Sequence, residues 1–436
     1  MRACSTPGID LARVRERAAA LSRALRTSLI LMLITLAPMA GIQGLTAADA
    51  PVQPSMRHLD PNALARRRGA VLTYADQRYR EYQAIIAAAE RLQAAIAVFI
   101  ATPTDETLAG ARQAWSAAHR CYSPSECHRF YGGPIDEPGA DLENKINAWP
   151  IDESCIDYVA GDAGTGVINQ PERIPDITPA VLIARNRLGG EKNVSIGYHA
   201  IEFLLWGQGH DARGPGVRTA ADYRLDGGAA HADRRATYLR VVAQLLVDHL
   251  RQVAQQWEPD VPGTYRQRFL AGDANAALRK IVMGIAALSG DELACERMAV
   301  AYESHSMEDG QSCFSFTTLD DLIGNLEGIT ATYLGPGAPG LGISDLVKGV
   351  DADLDRRIRL QLALSMERMR AIPAPFGVSI QGDDSAPGRL AIHAAITALE
   401  PQRLLLMHAA QALGIPIQLG KDPDRVLKRV EVSKPD

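Results

Sequence analysis

The sequence predicts an all-α fold, two packed helical bundles with long ordered loops, on three observations. Ala and Leu are abundant while aromatics make up 5% of the chain, a balance that favours helices over sheets. Apolar residues recur at helical rather than alternating spacing over most of the length. No strand-like runs pair across a turn. The hydrophobic fraction of 47% is ordinary for a globular protein. The net charge of −5 gives no reason to expect nucleic acid or an anionic membrane as partner.

The first fifty residues read as a leader. Arg13, Arg15, Arg17, Arg23 and Arg26 precede an apolar run from Leu29 to Ala40, broken by Thr35 and Pro38 and too short to span a bilayer comfortably. Ala48-Asp49-Ala50 offers a cleavage site before Pro51, so residues 1–50 are expected to be a signal peptide. The mature chain, expected to have no transmembrane segment, would be exported. Its remaining length suits one large or two medium domains; two are expected, placed at 62–258 and 259–436.

Ala63 to Ile100 is Ala-rich, free of Pro and helical in pattern, and Thr104 to Ala118 follows as a second helix. From Tyr122 to Thr178 the texture changes to Gly, Pro and Asp, but Phe130, Tyr131, Ile146, Trp149 and Tyr158 argue for a packed loop. Ile196 to Gly207 is apolar nearly all round and reads as a buried helix. Only His199 and Glu202 break its character, three apart and on one face. They are half of a metal site, or else a satisfied pair joining two helices. Helical spacing resumes from Ala236 to Val253 and from Tyr265 to Leu288. Ser289-Gly290-Asp291-Glu292 has the form of a capping box opening a new helix to Ala301. Thr318 opens another helix. Ser344 caps a stripe running from Leu346 to Met366. A helical hairpin from Leu390 to Leu413, broken near Pro401, closes the series.

Cys121, Cys127, Cys155, Cys295 and Cys313 remain after the leader, an odd number. Export allows two disulfides, and Cys121 and Cys127 flank a segment expected to turn. A four-cysteine zinc site is the rival, but C-x2-C spacing is missing. H-E-x-x-H, C-x-x-C-H, G-x-x-x-x-G-K-[ST] and G-x-G-x-x-G are missing too.

Several blocks carry a resemblance. Gly197, His199 and Glu202 form G-x-H-x-x-E. Ser125-Glu126, Arg129 to Asp136, Ile146 to Glu153 and Ile156 to Val159 precede it. Leu288-Ser289-Gly290, Glu296-Arg297-Met298 and Ser312-Cys313-Phe314-Ser315 follow. In this order they resemble the imelysin family, in its iron-regulated protein A-like branch. The resemblance implies two helical bundles, export to the periplasm or cell surface, association with iron uptake, and one polar pocket where the G-x-H-x-x-E helix meets the Glu126–Asp136 block. It also implies a divalent metal ion, iron or zinc, held by His199, Glu202 and Glu126, with Arg129, Asp136 and Glu153 around it. Expected partners are that ion and other envelope iron-uptake proteins. The alternatives are an imelysin-type zinc metallopeptidase, in which Asp136 or Glu153 activates water, and a metal-free envelope docking protein. Relatives commonly carry His before the Ser-Cys-Phe-Ser run and Asp-Asn-Thr-His after it, where this chain has Gln311 and Phe316-Thr317-Thr318-Leu319.

Overall fold

The structure, a computed structural model, describes residues 61–137, 139–209, 214–226, 228–415 and 417. The expected leader, its cleavage site and Cys4 lie outside the described residues. From Ala65 onward the described residues form one compact unit. The boundary expected at 258–259 falls inside that unit, and one apolar core runs from Ala70 to Ile415. Among the described residues there are helices, turns and a single isolated bridge, Val159 to Asp162.

Helix α1 (Pro61–Ala101) is long and apolar enough to cross a membrane by length and composition. Its stripe of Val71, Tyr74, Tyr82, Ile85, Leu92, Ile96 and Phe99 is buried in the protein core. Helix α2 (Asp105–Tyr122) starts from a Thr104–Thr107 capping box, with Asp105 and Glu106 in its first turn and His119 and Arg120 in its last, matching the helix dipole at both ends. The long loop is ordered by short helices, α3 (Leu142–Ile146) and α4 (Pro179–Arg185), and by 3-10 turns at Ser123–His128, Pro134–Asp136 and Glu153–Cys155. Then come α5 (Tyr198–Trp206), which packs on α2, and α6 (Ala232–Trp257), which packs on α5.

The second half differs from expectation in three places. Tyr265 to Leu288 divides into α7 (Tyr265–Ala271) and α8 (Ala274–Ala287), because Asp273 caps α8 by accepting from the Ala276 amide. Ser289 does not start a helix. The chain runs unbroken from α8 through a π-helical stretch, Leu288–Ala299, into α9 (Val300–Ser304), and Ser289 is held sideways by Gln402 at 2.9 Å. Pro401 does not break the last helix, α14 (Pro387–Ala412), which is buried along one face on both sides of the proline and packs against α12 (Ala352–Arg370). Tertiary burial here outweighs the roughly 3 kcal/mol a helix-interior proline costs. Between them lie α10 (Thr318–Leu334), α11 (Ile343–Val350) and α13 (Phe376–Ser379).

The five cysteines among the described residues are free, which corrects the expectation that Cys121 and Cys127 could close a loop as a disulfide. The reason is helical rise. Cys121 lies in the last turn of α2 and Cys127 in the 3-10 segment that directly continues it. Six residues of helix separate the two Cα atoms by about 9 Å or more, beyond disulfide reach.

That 3-10 segment carries Glu126 and seats against α10 at Gly328. A methyl group there would lie 2.0 Å from the Pro124 carbonyl oxygen. Gly328→Ala gains about 1 kcal/mol of helix propensity, but forcing the backbone aside costs about 1–3 kcal/mol. The variant should therefore melt lower than wild type, whereas Gly110→Ala, exposed on α2 with open space around it, should melt no lower. Equal melting of both would contradict the close approach.

Candidate functional site

Helix α5 begins at Gly197, whose φ is 93° and where a Cβ would lie 2.6 Å from the Ile146 carbonyl oxygen; only glycine fits both demands. All nine residues of α5 are buried, so its unpaired backbone groups need partners from elsewhere. At its C-terminal end the Leu204 carbonyl accepts from the Tyr223 hydroxyl at 2.6 Å and that of Leu205 from the Arg112 guanidinium at 2.9 Å, while Trp115 Nε1 adds a bond to the Tyr198 carbonyl of the first turn at 2.8 Å.

On this anchored helix His199 Nδ1 lies 2.7 Å from Glu202 Oε2. The other carboxylate oxygen accepts the Ser315 amide at 2.8 Å and its hydroxyl at 2.7 Å. Both Glu202 oxygens are thus engaged. His199 Nε2 is buried and has no hydrogen-bond partner. His199 borders a cavity of about 40 Å³, with Glu153, Lys192, Glu308, Asp309 and Cys313 among its other walls, room enough for a water or a single ion. A larger groove of about 310 Å³ lies between α1 and α6. Two of its three charged residues, Arg251 and Glu90, are half exposed and pair with each other at 2.6 Å, so the smaller cavity is the better site.

Behind His199 stands His119, its ring centroid 5.1 Å away and stacked on Trp115 at 4.9 Å. Its Nδ1 is 2.8 Å from Asp321 Oδ1 and its Nε2 is 2.9 Å from Asn147 Oδ1. Burial opposes charging of this imidazole, but Asp321 and Asn147 together lift its pKa above the usual histidine range. The Asn147 amide donates onward to Glu126 Oε1 at 3.2 Å. Glu126 Oε2 accepts from Arg129 at 2.8 Å and from Arg297 at 2.5 Å. Burial alone would raise this carboxyl; the two guanidiniums hold it well below the usual range. Arg297, fully buried on the π-helical stretch, also donates to Glu292, Gln311 and Asn325 at 3.0, 2.9 and 3.0 Å.

Of the residues singled out from the sequence, His199, Glu202, Glu126 and Arg129 therefore lie in one buried cluster without converging on one point. His199 and Glu202 touch. Glu126 does not touch them and is linked toward them through Asn147 and His119. Arg129 neutralises Glu126 and also reaches Glu143 at 3.2 Å. Asp136 lies on the Arg129 side; burial pushes its carboxyl up against the pull of Arg129. Glu153 borders the His199 cavity. Among the described residues no three His, Cys, Asp or Glu side chains are grouped so as to hold a metal ion.

The family model described as Imelysin matches residues 78–406, the span that contains the whole network. The chain belongs to the imelysin family. It is 27% identical over 329 residues to iron-regulated protein A of Synechococcus elongatus, covering 73% of this chain and 78% of that one. Its fold is similar to that of an iron-regulated protein A precursor from Parabacteroides distasonis, with a TM-score of 0.60, 18% identity and coverage of 79% of this chain and 95% of the other. An imelysin-like protein from Psychrobacter arcticum aligns with a TM-score of 0.57 at 12% identity, over 84% of this chain and 100% of its own.

Within this imelysin fold, sequence reasoning missed His119, Asn147, Arg297 and Asp321. Arg297 sits among the buried Leu293, Ala294 and Met298, and His119 one turn after the buried Trp115. A charged residue on a core-facing stripe was the available signal. The residues after Gly310 that were expected to depart from the family pattern complete hydrogen bonds. Gln311 accepts from Arg297, Thr318 accepts the Ser312 amide at 3.1 Å, and the Thr317 hydroxyl meets that of Ser315 at 2.8 Å.

Proposed function

We propose that this imelysin is an exported, metal-binding component of bacterial iron uptake, and that the ion enters the cavity beside α5 with His199 Nε2 as its imidazole donor. The iron link is supported by the iron-regulated protein A relative, and export to the periplasm or cell surface by the leader-like residues 1–50. One observation carries the site: a buried imidazole whose Nδ1 is held by a carboxylate and whose Nε2 has no partner. Metal-bound histidines are oriented in this way, so Glu202 aims the ring rather than ligating. Glu153 lines the same cavity, and a carboxylate oxygen beside imidazole suits iron or zinc. Glu126 with Arg129 and Arg297 braces the site from behind.

A metal-free docking protein is the second reading, favoured by the complete pairing of Glu126 and Glu202 with internal donors. Peptidase chemistry would rest on Glu153 as base. The deciding experiment is a thermal melt of protein isolated from the periplasm, its N-terminus first sequenced and expected near Pro51. Fe(II) or Zn(II) at one hundred times its dissociation constant should stabilise the wild type by about 2.7 kcal/mol. His199→Ala should fold, because Glu202 keeps both Ser315 bonds, and should lose that increment. A wild-type melt unmoved by either ion would sink the binding reading and leave the docking one. Casein should stay intact throughout.

A further inference from the structure

We propose that the groove between α1 and α6 is a second binding site, which takes a linear aliphatic polyammonium ion of the polyamine class. It does not depend on the His199 cavity. At about 310 Å³ the groove reaches the size of a small-ligand site, and the space between helices of a bundle is a usual place for one. Two cross-links show how the helices run. Gln93 of α1 donates to Gln244 of α6 at 2.6 Å, and Glu90 accepts from Arg251 at 2.6 Å. Stepping down α1 therefore means stepping up α6, so the pair is antiparallel. The groove opens beyond Arg251, toward Tyr79 on α1 and Glu258 at the end of α6.

The chemistry changes along the groove in an order that a polyamine matches. Glu90 stands at one end, level with Arg251. Glu258 stands at the other, about 10 Å further along α6 by helical rise. Ile86, Ala87 and Ala254 line the stretch between. Ile86 and Ala254 are buried, which gives methylene groups an apolar floor. Gln83 and Gln255 line the same walls and offer amide oxygens to ammonium donors. Two features favour a cation over an anion. The lining holds two carboxylates against one guanidinium. Glu258 is also the C-cap of α6, whose last turn carries no basic residue, so its charge adds to the negative end of the helix dipole. Arg251 does not block the Glu90 end. Both side chains are about half exposed, and a pair of that kind is weakly held. The guanidinium also lies 3.7 Å from Asp248, so it keeps an anion when an ammonium takes Glu90.

Calorimetric titration of spermidine into the full chain is the test, at low ionic strength where exposed charges are least screened. Saturable binding of one spermidine per chain is expected. Glu258→Gln, at a partly exposed position, should weaken it about tenfold or more, the loss of one charge-assisted bond. Butylamine, which has the chain but a single ammonium, should be weaker than spermidine by a similar factor. Ala87→Leu keeps every charge and fills the floor, so it should also weaken binding, with an unchanged melting temperature. Absence of saturable heat from spermidine would overturn the site. Binding unchanged in either variant would reduce it to loose attraction by surface charge and overturn it too. Butylamine binding as tightly as spermidine would overturn the two-ended reading of the groove.

Discussion

Arg297→Met should destabilise the protein by about 3–5 kcal/mol, the cost of stranding one member of a buried ion pair. The guanidinium is fully buried and donates to four separate side chains, Glu126, Glu292, Gln311 and Asn325. Methionine fills the stem volume but leaves those acceptors without their shared donor. Arg129 remains on Glu126, so the carboxylate is not left wholly unpaired, which places the effect at the lower end of the range. Arg297→Lys should restore only part of the loss, because one ammonium cannot span four acceptors in the plane of a guanidinium. The measurement is chemical denaturation of the three proteins at neutral pH. A loss for Arg297→Met under about 1 kcal/mol would mean the pairing is worth no more than a surface ion pair, and the bracing role assigned to this residue would be abandoned.

Asp157→Asn should have an effect of similar size from the opposite sign of charge. Asp157 Oδ2 accepts from Arg218 at 2.7 Å and from Arg235 at 2.6 Å, and its Oδ1 from Arg235 at 2.9 Å and Asn169 at 3.0 Å. Removing the charge leaves two buried guanidiniums, both already over the Tyr158 ring, with no anion between them. The expected cost at neutral pH is about 3–5 kcal/mol. Burial opposes ionisation of this carboxyl, yet the two arginines pull its pKa to about 2, below the unfolded 3.8. A depressed folded pKa contributes stability that is fully present above the unfolded value and is lost as pH falls through the folded one. The gap between wild type and variant should therefore be constant above about pH 5 and shrink between pH 4 and pH 2. A gap that stayed flat down to pH 2 would show that the clamp does not depend on the charge of Asp157.

Most of the helices were legible from sequence because their causes are local. The stripe from Val71 to Phe99, the capping threonine at position 104 and the apolar run from Tyr198 to Trp206 each declare a helix within a few turns. The local misreadings have local rivals. Ser289 to Glu292 matches a capping box in composition, but the preceding helix never ends, so no free amides await a cap. Pro401 marks a break by propensity, and packing against α12 carries the helix through it. Cys121 and Cys127 look like a clasp only if a turn lies between them.

The site divides in the same way. That His199 and Glu202 share a face follows from a spacing of three in a helix, and the sequence alone determined it. Which carboxylate is neutralised, which is shared and which nitrogen is left without a partner were decided by tertiary structure. Glu126 meets Arg297 across 171 residues, Ser315 meets Glu202 across 113, and Ser123 meets Asp321 across 198. No periodicity reports contacts at such separations. They arise where the 3-10 segment seats on Gly328 and the Ser312–Ser315 loop closes over α5. The physical reason is that a buried charge takes whatever partner the packed fold brings within about 3 Å, and that partner is set by the approach of distant backbones rather than by its neighbours in the chain.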